Sequence, residues 1–401
     1  MGVGTRRRKA IVLSLGAVGL ATALTGAAFF APNRSAQAAR AYTPAGPATV
    51  VAHVPRRDAR EVAERQALAA SPDRVELAVA LARAEIQRAR SLSDPRYLGR
   101  AQATLGRWWN LAEPPADVLL LRATIEQSLH DFKAARVDLD HLIALRPDDA
   151  QAQLTRAVVA TVTADYAAAR TSCVALEHLA PALIVEACRA PLDAIEGDAD
   201  GAYRRLAAAV ADPAADPGLR AWAQGTLAEL AIQRGDEATA ATLLRAILTA
   251  DPDDAYARAA LADVLMQQRD PAAASALLKG REQIDNLLVR RAIAEHAAHG
   301  PDADRLVQAM HDRIAAAAER KDRIHMREEA MFTLAVDRDT AKALELARAN
   351  WGVQKELADA RLFATAAYAT GDRAAAAPVI EWAEAHHVHD ARLDAALGGS
   401  L

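Results

Sequence analysis

Asp131-Phe132-Lys133-Ala134-Ala135, then Leu139, Leu142 and Leu145, and finally Pro147, is the stretch whose reading decides the fold. Thirty-four residues later the chain repeats it in register, as Asp165-Tyr166-Ala167-Ala168-Ala169, Cys173, Leu176, Leu179 and Pro181. A third copy runs from Gly235-Asp236 through Ala240, Leu244, Ile247 and Leu248 to Pro252. Apolar residues three and four apart share one helix face. A helical pair too small to bury that face alone must stack on copies of itself, so this period predicts an all-α helix–turn–helix solenoid.

Composition agrees. The 401 residues are 52% hydrophobic, with alanine dominant and aromatics at only 4%, so closely packed helices and almost no strand are expected. The first 38 residues hold Arg6, Arg7, Arg8, Lys9 and Arg34 and no acid, which leaves 43 basic against 52 acidic residues beyond them. A net charge of that sign repels phosphate backbones and counts against a nucleic-acid partner.

Residues 1–38 read as a leader. The basic cluster precedes an uncharged run, residues 10–31, and Ala36-Gln37-Ala38 supplies a small-residue cleavage site. Two readings stand, a cleaved signal peptide and a retained single-span membrane tether; both put the body outside the cytoplasm, periplasmic or otherwise extracytoplasmic. Cys173 and Cys188 suit an oxidising space. In the repeat register one lies on the second helix of a unit and the other on the first helix of the next. They read as a structural disulfide, or as two small buried side chains.

Residues 39–57 contain Pro44, Gly46, Pro47 and Pro55 and read as an extended linker. Residues 58–115 read as degenerate helical repeats ending in Trp108-Trp109 and Pro114-Pro115, with one tryptophan in the core and the other a candidate exposed anchor. The regular array covers 116–287, in which Pro191 is expected to kink or shorten its helix. Beyond it, 288–401 pairs up more weakly, with a last helix near 390–397 capping the end.

Unit 116–149 resembles a tetratricopeptide repeat. Ala123 and Ala135 fall at the family's small positions, Phe132 at the aromatic of the turn and Pro147 at the close. The next unit keeps Ala157, Tyr166, Ala169 and Pro181; later ones keep Ala228, Ala240 and Pro252, then Ala262 and Ala274. The family's first-helix tryptophan and glycine are replaced by Leu, Gln or Ala. The resemblance implies a concave groove lined by first helices that holds a protein or peptide partner. Carried over position by position, the groove residues are Asp117, Leu120, Thr124 and Gln127, then Gln151, Leu154, Val158 and Thr161. The later units add Trp222, Glu229 and Gln233, then Tyr256, Asp263 and Met266. This lining is mixed apolar and polar with a mild acidic bias, and the family's basic clamp for a terminal carboxylate is missing. An extended or helical segment with apolar anchors and some basic residues is the expected ligand.

No phosphate loop, nucleophile elbow or His-Glu-x-x-His pattern occurs, so no catalytic residue and no cofactor are expected. The densest imidazole cluster is His386, His387 and His389; His296 and His299 share a helix face, and His325, Glu328 and Glu329 resemble half of a metal-binding helix. The expectation is a non-enzymatic exported scaffold, with assembly of an envelope complex as its expected setting. The rival is an accessory protein that binds a metal or small ligand through the carboxy-terminal histidines.

Overall fold

The computed structural model describes residues 59–91, 94–319 and 326–398. The leader, the linker, Asp58 and His325 lie outside the described residues. Among those described there are 21 α-helices and no strand, and no helix is long and apolar enough to cross a membrane. Four amino-terminal helices, α1 (Ala59–Ala70), α2 (Val75–Ser91), α3 (Arg96–Thr104) and the single turn α4 (Gly106–Trp109), precede the regular pairs. Those are α5 (Ala116–Ser128) with α6 (Phe132–Leu145), α7 (Ala150–Val162) with α8 (Tyr166–Ala175), and α9 (Ala182–Ile195) with α10 (Ala199–Ala211). Then come α11 (Pro217–Gln233) with α12 (Glu237–Ala250), α13 (Ala255–Gln267) with α14 (Pro271–Leu278), and α15 (Asp285–Ala297) with α16 (Ala303–Glu319). The last are α17 (Met326–Phe332) with α18 (Thr340–Trp351), α19 (Leu357–Ala369) with α20 (Ala377–His386), and α21 (Ala391–Ala396).

One turn chemistry punctuates the pairs. The first helix ends in a residue with positive φ, and the aspartate that follows caps the second helix. His130-Asp131, Ala164-Asp165, Gly197-Asp198, Gly235-Asp236 and Arg269-Asp270 all follow this rule. The aspartate N–H donates back five residues, as from Asp131 to the Glu126 carbonyl, while its side chain accepts from the N–H three residues ahead. A left-handed residue closing one helix and a carboxylate opening the next satisfy both helix ends within two residues. Such a short turn forces the pair to lie antiparallel in contact, and small residues set the distance. Ala123, Ala135, Ala169, Ala228, Ala240, Ala262 and Ala274 are wholly buried.

Three expectations need correction. The α9 helix runs to Ile195 through Pro191 and is not shortened, because packing on both sides holds a helix that has lost one internal bond. Trp108 and Trp109 both pack half-buried on the amino-terminal core, and the Trp109 carbonyl accepts from Arg122, so neither is an exposed anchor. The last helix, α21, does not cap the end of a linear stack but returns to the middle of the chain.

That return is the main departure from an open solenoid. One hydrophobic core contains both residues 150–230 and residues 330–397. Trp351 meets Phe363 and Trp382 edge-on at 6.4 and 5.3 Å, and the Trp382 indole N–H donates to the Tyr166 hydroxyl at 2.9 Å. The Lys355 N–H donates to the Val162 carbonyl at the end of α7 (2.8 Å), and the Arg392 guanidinium grips Glu237 at 2.8 and 2.7 Å. Gly235, the turn residue between α11 and α12, lies so close to α21 that an added Cβ would sit 3.0 Å from the Ala391 methyl. The concave face of the middle repeats is therefore roofed by the chain's own carboxy-terminal half.

Candidate binding cavity

Beneath that roof the first helices α7, α9, α11 and α13 enclose a cavity of about 310 Å³. Its lining is of two kinds. Leu154 and Val158 of α7, Cys188 and Pro191 of α9, Trp222 of α11 and Leu357 of α19 make an apolar wall. The lining also holds Glu229, Tyr256 and Asp263 of the array together with charged residues from the returning half.

Most of those charges are neutralised in place. Arg290 donates to Asp263 at 2.8–3.0 Å. Arg327 donates to Asp359 at 2.6 and 2.8 Å and also reaches Glu356; the buried Asp359 further accepts from Asn350 at 2.6 Å and from the Glu356 N–H at 3.0 Å. A carboxylate with this many donors ties α17, the end of α18 and the start of α19 together beside the cavity. Burial alone would lower Arg327, but Asp359 and Glu356 outweigh it and hold the guanidinium well above its ordinary value. Arg361 is likewise paired with Asp390 at 2.9 Å. Among the described residues, Lys355 and Glu229 make no ion pair; Glu229 accepts only from the Tyr256 hydroxyl. Burial, then the Glu229 carboxylate, keeps that phenol well above its usual range. Asp254, at the start of α13, is raised by burial.

Of the groove residues read from the sequence, Leu154, Val158, Thr161, Trp222, Glu229, Gln233, Tyr256 and Asp263 line the cavity. Two of these are structural rather than open. Leu154 is 2% exposed, and Gln233 is buried with its amide donating to the carbonyls of Ala194 (3.0 Å) and His389 (2.9 Å). The others are elsewhere. Asp117 pairs with Arg146, Thr124 bonds back to the Leu120 carbonyl, Gln127 is buried, and Gln151 donates to Thr155. Met266 packs on the neighbouring core of residues 228–294. Arg290, Arg327, Lys355, Glu356 and Arg361 were missed. A signal existed, since Arg290, Arg327 and Arg361 lie on first helices of later pairs, the helices that face inward.

Cys173 and Cys188 form a disulfide between α8 and α9, with Cα atoms 5.7 Å apart. The histidine cluster is put to other uses. His386 meets Tyr166 edge-on at 4.8 Å, His387 takes the left-handed position ending α20, and the His389 carbonyl accepts from Gln233. His299 also sits in a left-handed turn, and Glu329 pairs with Lys342 at 2.8 Å. Among the described residues no three His, Cys, Asp or Glu side chains come together as a metal site.

A family model described as tetratricopeptide repeat matches residues 231–295, the stretch from the end of α11 through α15. No curated protein matches the chain. Among solved structures it is similar to the APC/C heterotetramer Cut9–Hcn1, at 10% identity and a TM-score of 0.38, covering 84% of this chain and 80% of that one. It is also similar to the P58(IPK) TPR domain, at 16% identity and a TM-score of 0.21, covering 81% and 96%.

Proposed function

Because the chain carries tetratricopeptide repeats, a type that mediates protein–protein interaction, we propose that it is a non-enzymatic scaffold holding a short partner segment in the central cavity. The observation that carries this reading is the convergence of four first helices on one half-apolar, half-charged space. A cavity of about 310 Å³ takes a few side chains of an extended segment, not a folded domain. The roof makes the partner enter end-on or as a protruding loop, which distinguishes this site from an open groove.

Export is part of the proposal. It is supported by the basic and apolar leader and by a disulfide, a bond that persists in oxidising compartments. The fitting role is assembly of an envelope or secreted complex. Fractionation of cells producing the full chain, with thiol labelling before and after reduction, tests this; a cytoplasmic protein with two free thiols would remove it.

The test of the scaffold is capture from envelope extract by the full chain beside Val158→Arg and Trp222→Ala variants, read by mass spectrometry. Val158 and Trp222 are half-buried at the cavity, so these changes alter the site without emptying the core. A protein held by the wild type and lost by both variants is the expected result; variants that capture the same set sink the reading. A second reading is favoured by the volume alone, which is that of a small-molecule site. Native mass spectrometry of the purified chain, showing a bound small molecule displaced by Val158→Arg, would select it.

A further inference from the structure

Gly225 sits inside α11, with neither the positive φ that explains Gly197 and Gly235 nor a neighbour that needs the room: a Cβ there would meet nothing within 4 Å. Glycine is among the poorest helix formers. At this position it leaves an open notch in the cavity wall. Trp222, Gly225 and Glu229 are spaced three and four apart, so they form one stripe on the cavity side of α11, about 10 Å from end to end. At one end is a half-buried indole, and at the other a carboxylate that makes no ion pair among the described residues.

We propose that this stripe selects an organic cation carried on an apolar body about 10 Å long, with the apolar part over Trp222, the body in the Gly225 notch and the ammonium or guanidinium at Glu229. The proposal rests on the reading of the cavity as the binding site and names the chemistry of what it takes. Three observations point the same way. Among the described residues Glu229 has only the Tyr256 hydroxyl as hydrogen-bond partner. The lining cations Arg327 and Arg361 are each engaged by a carboxylate of their own, Asp359 and Asp390. The half-buried Trp222 indole offers apolar area at the far end of the stripe, where the body of the ligand would lie. Lys355, the one lining cation without an ion pair among the described residues, is the feature that would favour an anion instead, so the test includes one.

The full chain is titrated calorimetrically with acetyl-Leu-Ala-Arg-amide, acetyl-Leu-Ala-Glu-amide, octylamine and octanoate. The wild type is expected to bind the arginine peptide about tenfold more tightly than the glutamate peptide. Glu229→Gln should abolish that preference, and Gly225→Leu should lose binding while melting at or above the wild-type temperature. Octylamine binding without either peptide would keep the chemistry and name a free amine as the source. Equal or preferential binding of the glutamate peptide or octanoate overturns the inference, yet leaves the cavity as a binding site if Gly225→Leu still blocks it. Should no probe bind the wild type, the inference falls; the scaffold reading falls separately, only if partner capture is also indifferent to Val158→Arg. If Gly225→Leu fails to fold, Glu229→Gln alone decides.

Discussion

The pairs α5–α6 and α7–α8 follow one recipe and end in different places. Each has a left-handed residue before a capping aspartate, a buried pair of alanines, and an aromatic at the start of the second helix that is 5% exposed. In α5–α6 the inward positions are settled locally, as Thr124 bonds to the Leu120 carbonyl and Ser128 to the Thr124 carbonyl. In α7–α8 they face the returning half of the chain, and the aromatic is a tyrosine whose hydroxyl accepts from Trp382, 216 residues away. A repeat motif thus specifies how two helices touch. What the pair does is decided at the positions the motif leaves free and by what comes back to meet them.

The largest test of that contrast is Trp382→Ala. It removes a buried indole from the shared core and should cost about 3–5 kcal/mol, seen in denaturant unfolding. Hydrogen exchange should show α7–α9 losing protection while α5–α6 keeps it. Equal loss in both pairs would mean that they belong to one cooperative unit and that the contrast is only geometric. Next comes the double change Cys173→Ala/Cys188→Ala, which releases a 15-residue loop between α8 and α9 and should cost about 2–4 kcal/mol. Its counterpart in α5–α6 has no such bond to lose, so dithiothreitol should loosen one pair and leave the other unchanged.

Helix positions and the alanine contacts were legible because they depend on residues within one 34-residue unit. At the irregular end, the last helix was expected near 390–397 and is found at Ala391–Ala396. The closure was not legible. Nothing local in Trp382 or Gln233 says that it will meet a partner more than 150 residues away, because curvature adds up a small rotation at each of several units. The same limit explains the site. Trp222 and Glu229 follow from the register of one helix, whereas Arg327, Lys355 and Glu356 join them only once the chain has come round.

A smaller effect separates the two pairs by pH. Burial first, then the nearby Asp138, pushes Glu126 of α5 from an ordinary 4.5 up to about 7, with Arg122 opposing. One of its oxygens is buried without a hydrogen-bond partner. A carboxyl raised on folding favours its protonated form in the native state, so its contribution is fully present below about pH 4.5 and is lost as pH rises through about 7. Glu126→Gln should accordingly be neutral near pH 4.5 and stabilising by about 1 kcal/mol at pH 8, allowing for solvent screening. Melting curves at the two pH values check this; a gain at low pH would reverse the assignment.

The smallest effect concerns the turns themselves. Ala164 holds φ at +61°, where Gly197 and Gly235 occupy the equivalent places of the next two pairs. A methyl group in the left-handed region costs about 1 kcal/mol, while glycine adds freedom to the unfolded chain. Ala164→Gly should therefore stabilise by about 0.5 kcal/mol, slightly less than the strain relieved. The reverse change at Gly235 meets both φ of +78° and the Ala391 methyl at 3.0 Å, and should destabilise by about 1–2 kcal/mol. If Gly235→Ala proved as mild as a change in an ordinary turn, α21 would not be seated on the array in solution, and the roof over the cavity would open with it. This pair of conservative substitutions thus reads the closure itself, without disturbing any residue that lines the site.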